Sequence, residues 1–187
     1  MLFRSLRFLD IALGTLVYRA DENIRSFATD GTYLYFSTEQ VLRVFQGNPK
    51  YLDRAYLHSV LHCIFFHLWI GGKRDREKWN LACDIAVEYT IDWIQAECTK
   101  RILSWTRKQM YDRLKEQKMG ISAAVIYRMI ENEETVQKLF LPKEFYTDDH
   151  SLRGAWSNPA LTAARGIQPF SQKNAVISLF FSSTSLG

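Results

Sequence analysis

The stretch His58-Ser59-Val60-Leu61-His62 decides how this chain is read. It lies in a run, residues 55–70, that is apolar nearly all round and ends at Gly71-Gly72. Such a run reads as a buried helix stopped by glycine. Two histidines four apart on a helix stand about 40° apart around its axis, on one face. Both imidazoles can then address a single ion, and zinc accepts nitrogen at roughly 2.0–2.1 Å. The spacing alone leaves open a metal-free, hydrogen-bonded pair, because buried imidazoles need partners of either kind.

Outward from this helix, a charged turn over residues 73–78 leads to a second apolar helix over residues 79–98. Within it Asp84 sits in Leu81-Ala82-Cys83-Asp84-Ile85-Ala86-Val87. An isolated ionised carboxylate in such surroundings is very costly, so Asp84 must meet a counter-charge. A short connection makes the two helices antiparallel neighbours, which puts a dication on the first helix within reach. Asn80 and Glu88 fall one turn to either side of Asp84, on the same face. His67 is nine residues past His58, about 180° round an unbroken helix, and reads as packing or an outer partner. Cys63 points about 140° away from His58 and reads as core.

The flanks supply a small sheet and more helix. Thr29-Asp30-Gly31 precedes the β-prone run Thr32-Tyr33-Leu34-Tyr35-Phe36-Ser37, a hairpin signal. Ser37 or Thr38 can cap a helix over residues 39–46, which Gly47-Asn48-Pro49 ends. Residues 1–18 read as an amphipathic helix with Leu2, Leu6, Leu9 and Leu13 near one face. A more polar helix is predicted over residues 100–118, and another begins at Ser122. The helical region closes at Leu141-Pro142. The fold class expected is α+β and mostly helical, with one domain over residues 1–150 and an unassigned tail over residues 151–187.

Composition excludes several functions. With 47% hydrophobic residues the chain has material for a core, so wholesale disorder is excluded. The net charge of +4 is interspersed, and the basic stretch from Lys100 to Lys118 is interrupted by Asp112 and Glu116. This reads as a solvated helix face, with no nucleic-acid partner. No Gly-x-x-x-x-Gly-Lys loop for phosphates is present. Asp10 interrupts the first apolar run, which is also too short to span a bilayer. Three cysteines, Cys63, Cys83 and Cys98, in apolar contexts read as free thiols in a reducing compartment, so a cytoplasmic location is expected.

Three motifs in order, Thr29-Asp30-Gly31-Thr32, His58-Ser59-Val60-Leu61-His62 and Trp79-Asn80-Leu81-Ala82-Cys83-Asp84, resemble a bacterial metallopeptidase family of zincin type. Its members usually carry this domain ahead of a von Willebrand factor A-like domain. The family pattern is a His-Glu-x-x-His helix followed by a Trp-Asn-x-Ala-x-Asp helix. The resemblance is good over residues 30–92 and looser over residues 1–149. It implies a zincin-like fold with zinc bound by His58, His62 and Asp84. It also implies that the strand Tyr33–Phe36 is the edge strand over the active-site helix, open to pairing with an extended peptide. A MoxR-type AAA+ ATPase is the partner it implies.

Two departures limit what can be carried over. Ser59 stands where the family has the glutamate that takes a proton from metal-activated water, and a serine hydroxyl is not a base near neutral pH. Glu88 is the other candidate for that proton. There is no room for the second domain after Asp149, and Asp149-His150-Ser151-Leu152-Arg153 does not complete its Asp-x-Ser-x-Ser motif. The tail reads as a truncated or frame-altered end. The expectation is thus a zinc-dependent, metallopeptidase-like domain whose hydrolytic route lacks its base. The alternative is a catalytically inactive module that binds a peptide or partner.

Overall fold

The computed structural model describes residues 6, 9–117, 120–132 and 141–152. A short helix α1 (Asp10–Leu13) leads into β1 (Val17–Ala20), then β2 (Phe27–Thr29) and β3 (Tyr33–Phe36). Six further helices follow: α2 (Thr38–Gly47), α3 (Lys50–Ile64), α4 (Arg76–Ile94), α5 (Trp105–Glu116), α6 (Ala123–Asn132) and α7 (Leu141–Phe145). A 3₁₀ turn over His150–Leu152 ends the described part. The fold is α+β and mostly helical, as the patterning predicts.

Helix α4 is the axis of the molecule, which explains why its sequence is apolar on most sides. Val87 and Ile91 join Leu57, Val60 and Leu61 of α3 in one core cluster. Ala82, Cys83, Ile85 and Ala86 belong to a second cluster with Met110, Leu114, Ile126 and Phe145 from α5, α6 and α7. All three cysteines are buried and none is in a disulfide.

The sheet order is β1-β3-β2, with β1 parallel and β2 antiparallel to β3. This corrects the expectation for Tyr33–Phe36. That strand is central, with both edges already paired, so it cannot accept a peptide strand. Its second neighbour is β1, from residues 17–20, whose side chains are all exposed and give no alternating pattern to read. Of the expected N-terminal helix, Asp10–Leu13 is helical and its last residues, Val17 and Tyr18, belong to β1; residues 1–5 and 7–8, with Leu2, lie outside the described residues. The Asp-Gly hairpin forms as predicted. Asp30 Oδ1 accepts the Thr32 and Tyr33 amides at 2.8 Å each, and Tyr35 Oη donates to Oδ2 at 2.8 Å. Gly31 has φ +89°, and a Cβ there would lie 2.7 Å from the Trp69 ring.

Helix α3 stops at Ile64, six residues before the expected end. Phe66 takes a left-handed conformation with φ 58°. The Phe66 amide donates to Cys63 O at 3.1 Å and the His67 amide to His62 O at 3.0 Å. This is a Schellman ending with phenylalanine in the place usually taken by glycine, a conformation that costs a side-chain-bearing residue about 1–2 kcal/mol. Other helix limits follow from caps. Asp75 accepts the Lys78 amide and starts α4 three residues before Trp79; Gln95, at φ 53°, ends it at Ile94. Ser104 accepts the Arg107 amide and starts α5 at Trp105 rather than Lys100. Ser37 caps α2.

The folded unit runs at least through Leu152, past the expected boundary at residue 150. Leu152 is buried with Ile24, Ala28 and Tyr35. The Asp149 amide donates to Phe27 O at 2.6 Å, and Ser26 Oγ to Thr147 O at 3.0 Å. The tail expected as a separate segment otherwise lies outside the described residues.

Candidate metal centre

The site is built where α3 and α4 face each other and the segment carrying Asp148 crosses them. His58, His62, Asp84 and Asp148 are all buried, and one donor atom from each lies within 4.8 Å of the others. His58 Nε2 and His62 Nε2 are 2.8 Å apart. Asp84 Oδ1 lies 3.3 Å from His62 Nε2 and 3.8 Å from His58 Nε2, and Asp148 Oδ1 lies 3.4 Å from His58 Nε2. A tetrahedral ion bonded at roughly 2.0–2.1 Å holds its donor atoms about 3.3 Å apart. These four spacings, from 2.8 to 3.8 Å, bracket that value, so the four side chains could hold a metal ion.

Both histidines turn Nε2 inward and Nδ1 outward. The His58 Nδ1 is 2.9 Å from Glu88 Oε1, and His62 Nδ1 is 3.2 Å from His67 Nδ1. Outer partners of this kind fix the ring orientation and tautomer of a ligating histidine. The break at Phe66 is what brings His67 here; an unbroken helix would have carried it to the far side. His67 is thus an outer partner, by a route the sequence did not suggest.

Glu88 does not stand where a water-activating base would. It is fully buried, with one oxygen on His58 Nδ1. Its Oε2 accepts from Arg54 Nε at 3.1 Å, Arg54 Nη2 at 2.6 Å and Arg107 Nη1 at 2.7 Å. Both oxygens are engaged behind the histidine, which corrects the expectation that Glu88 could replace the missing base. Burial pushes its pKa up, but the hydrogen bond to His58 and the Arg54 and Arg107 charges overrule it and hold the carboxyl far below the usual range. Ser59 is fully buried and donates to Ala55 O at 3.1 Å, back along its own helix.

Asp148 and His150 were missed from sequence. His150 Nε2 lies 2.8 Å from Asp148 Oδ1 and 3.0 Å from Asp84 Oδ2. The one available signal was two acids and a histidine in a row, Asp148-Asp149-His150, three residues past the end of a short helix. Burial pushes the His58 imidazole down, but Asp148 and Glu88 outweigh it and raise its pKa to about 9. His150 is raised to about 9 by Asp84 and Asp148, again against burial. Without an ion the paired carboxylates therefore hold protons on the imidazoles, the behaviour of a site that attracts positive charge.

On one side the site meets solvent. A cleft of about 390 Å³ is lined by Asp84 and His150 together with Asn80, Leu81, Ile130 and Tyr146. Among the described residues no helix is long and apolar enough to cross a membrane. No protein-family model, curated protein or solved structure matches the chain, so the metallopeptidase resemblance rests on its motifs alone.

Proposed function

We propose that the protein is a zincin-like metal-binding domain that holds zinc through His58, His62 and Asp84, with Asp148 as a fourth ligand. The observation that carries this reading is the convergence of four buried donor atoms from three chain segments within 4.8 Å. A bound dication supplies Lewis acidity, polarising a carbonyl and acidifying water. The chain's own residues favour binding over peptide hydrolysis. Four protein donors fill a tetrahedral shell, the pattern of closed, structural sites. The glutamate that would serve as base is Ser59, whose hydroxyl is turned to Ala55 O.

A second reading, a working metallopeptidase, draws support from the cleft that reaches Asp84 and His150. In that reading Asp148 would yield its place to substrate or water, and His150 would be the proton-exchanging side chain at the open face. Elemental analysis of purified protein is the deciding measurement. One zinc per chain is expected, lost in the His58→Ala/His62→Ala double variant. A folded protein that is metal-free and indifferent to chelator would overturn both readings. Peptide cleavage by the unmodified protein would select the second; cleavage appearing only in Ser59→Glu would select the first. The MoxR-type ATPase belongs to the first reading as a partner, and its co-purification with the tagged chain is the corresponding test.

A further inference from the structure

A second cavity, of about 270 Å³, opens between α2, α3 and the segment before α5. Its polar lining includes Ser26, Gln40, Tyr51, Arg54, Arg101 and Thr147, and no carboxylate is among the described residues that line it. Two of these side chains are already committed: Ser26 Oγ donates to Thr147 O, and Thr147 Oγ1 to Phe145 O. Arg54 already makes four hydrogen bonds, to Glu88, Asp92 and the Thr99 carbonyl.

Arg101 differs. Its side chain is 27% exposed, and its ion pairs are long, 3.5 Å to Glu144 and 3.9 Å to Glu88. Arg54 and Arg107 approach Glu88 at 2.6 and 2.7 Å, so of the three guanidinium groups here Arg101 is the one held least closely; burial and the Arg107 and Arg54 charges push its pKa down. Gln40 and Tyr51 line the cavity with Arg101; the Gln40 carbonyl oxygen accepts from Arg43, so its amide N–H groups are what it offers, and Tyr51 is half exposed. The cavity thus presents a weakly paired guanidinium and neutral donors.

We propose that this cavity is a binding site for a carboxylate-bearing ligand, with Arg101 as the cation that receives it and Gln40 and Tyr51 as flanking donors. A guanidinium edge matches a carboxylate with two parallel hydrogen bonds. The surrounding network sets three guanidinium groups, Arg54, Arg101 and Arg107, against three carboxylates, Glu88, Asp92 and Glu144. Being balanced already, it accommodates a monoanion more readily than a phosphate dianion.

The test is calorimetric titration of the full chain with N-acetylglycine, its amide and inorganic phosphate, with chelator present so that no ion can take the acid. Saturable binding of the acid and none of the amide is expected. Arg101→Gln should weaken the acid roughly tenfold or more, the range for a hydrogen bond to a charged group. Equal binding of acid and amide, phosphate binding without carboxylate binding, or an unchanged affinity in Arg101→Gln would each overturn the proposal. Should Arg101→Gln melt far below the parent, Gln40→Ala and Tyr51→Phe, on the cavity rim, replace it under the same criterion. Because the titration excludes metal, its failure leaves the reading of the His58 site intact, and loss of that reading leaves this one standing.

Discussion

Replacing Glu88 by glutamine keeps the shape of the side chain and removes one charge, and the structure says where the damage goes. Oε2 takes three N–H bonds from Arg54 and Arg107, while Oε1 faces His58 Nδ1. A glutamine has one oxygen. Turned to the arginines, it presents NH₂ to His58, so Nδ1 must become an acceptor and the proton moves to Nε2, the atom that faces the other donors. Turned the other way, it sets NH₂ against two buried guanidinium groups. The first arrangement costs less, and removing one partner of a buried ion pair costs about 3–5 kcal/mol. Taking the low end because the three hydrogen bonds survive, and roughly 2–4 °C per kcal/mol for a chain of this size, Glu88→Gln should melt roughly 6–12 °C below the parent. The tautomer change should also weaken zinc by roughly 10–100-fold, the range for losing an outer partner of a ligating histidine. Melting curves with and without zinc, together with nitrogen chemical shifts of His58, read both effects. A variant that melts within about 2 °C of the parent and binds zinc equally would refute the clamp described for Glu88.

Three further outcomes are expected. Asp148→Asn should lose more zinc affinity than Glu88→Gln, since it turns a ligating carboxylate itself into a neutral amide, and should lower the His58 pKa, whose largest upward cause is the Asp148 hydrogen bond; a zinc titration and an NMR pH titration check the two. In chelated protein, His58 and His150 titrate near 9 against 6.5 for the free side chain, so their stabilisation is complete below pH 6.5 and lost as pH rises through 9. Urea midpoints of the chelated protein should fall over that window while zinc affinity rises, and a flat midpoint would contradict the assignment. Gly31→Ala combines a positive φ with a contact of 2.7 Å to Trp69, and a cost of about 1–3 kcal/mol is expected from denaturation curves.

What could be read from sequence was what helical periodicity controls. His58, His62 and Asp84 were placed together because spacings of four on one helix, and a charge in an apolar run on the next, are local facts. The break at Phe66 was hidden because neither glycine nor proline marks it; a hydrogen-bonded ending imposed by tertiary contacts overrides the residue's own preference. Strand β1 was hidden because four exposed residues at a sheet edge show no alternation. Asp148 reaches the site through the docking of its segment on β2, where the Arg25 amide donates to Asp149 Oδ2 at 3.3 Å. That contact spans most of the chain, and no pattern within residues 146–152 announces it.

The two ends of His58 show why the site and the arginine network cannot be treated apart. Asp84 and Glu88 are one turn apart on α4, and they approach the same imidazole from opposite sides, Asp84 toward Nε2 and Glu88 at Nδ1. The charge on Glu88 that orients the ring is itself set by Arg54 and Arg107, and Arg101 stands 3.9 Å from the same oxygen. An anion that draws Arg101 outward would leave Glu88 with less positive charge beside it, and hence with more negative charge for His58. A more strongly polarised His58 is a better ligand, so occupation of the arginine cavity and of the metal site should favour each other, and by linkage the effect must be equal in both directions.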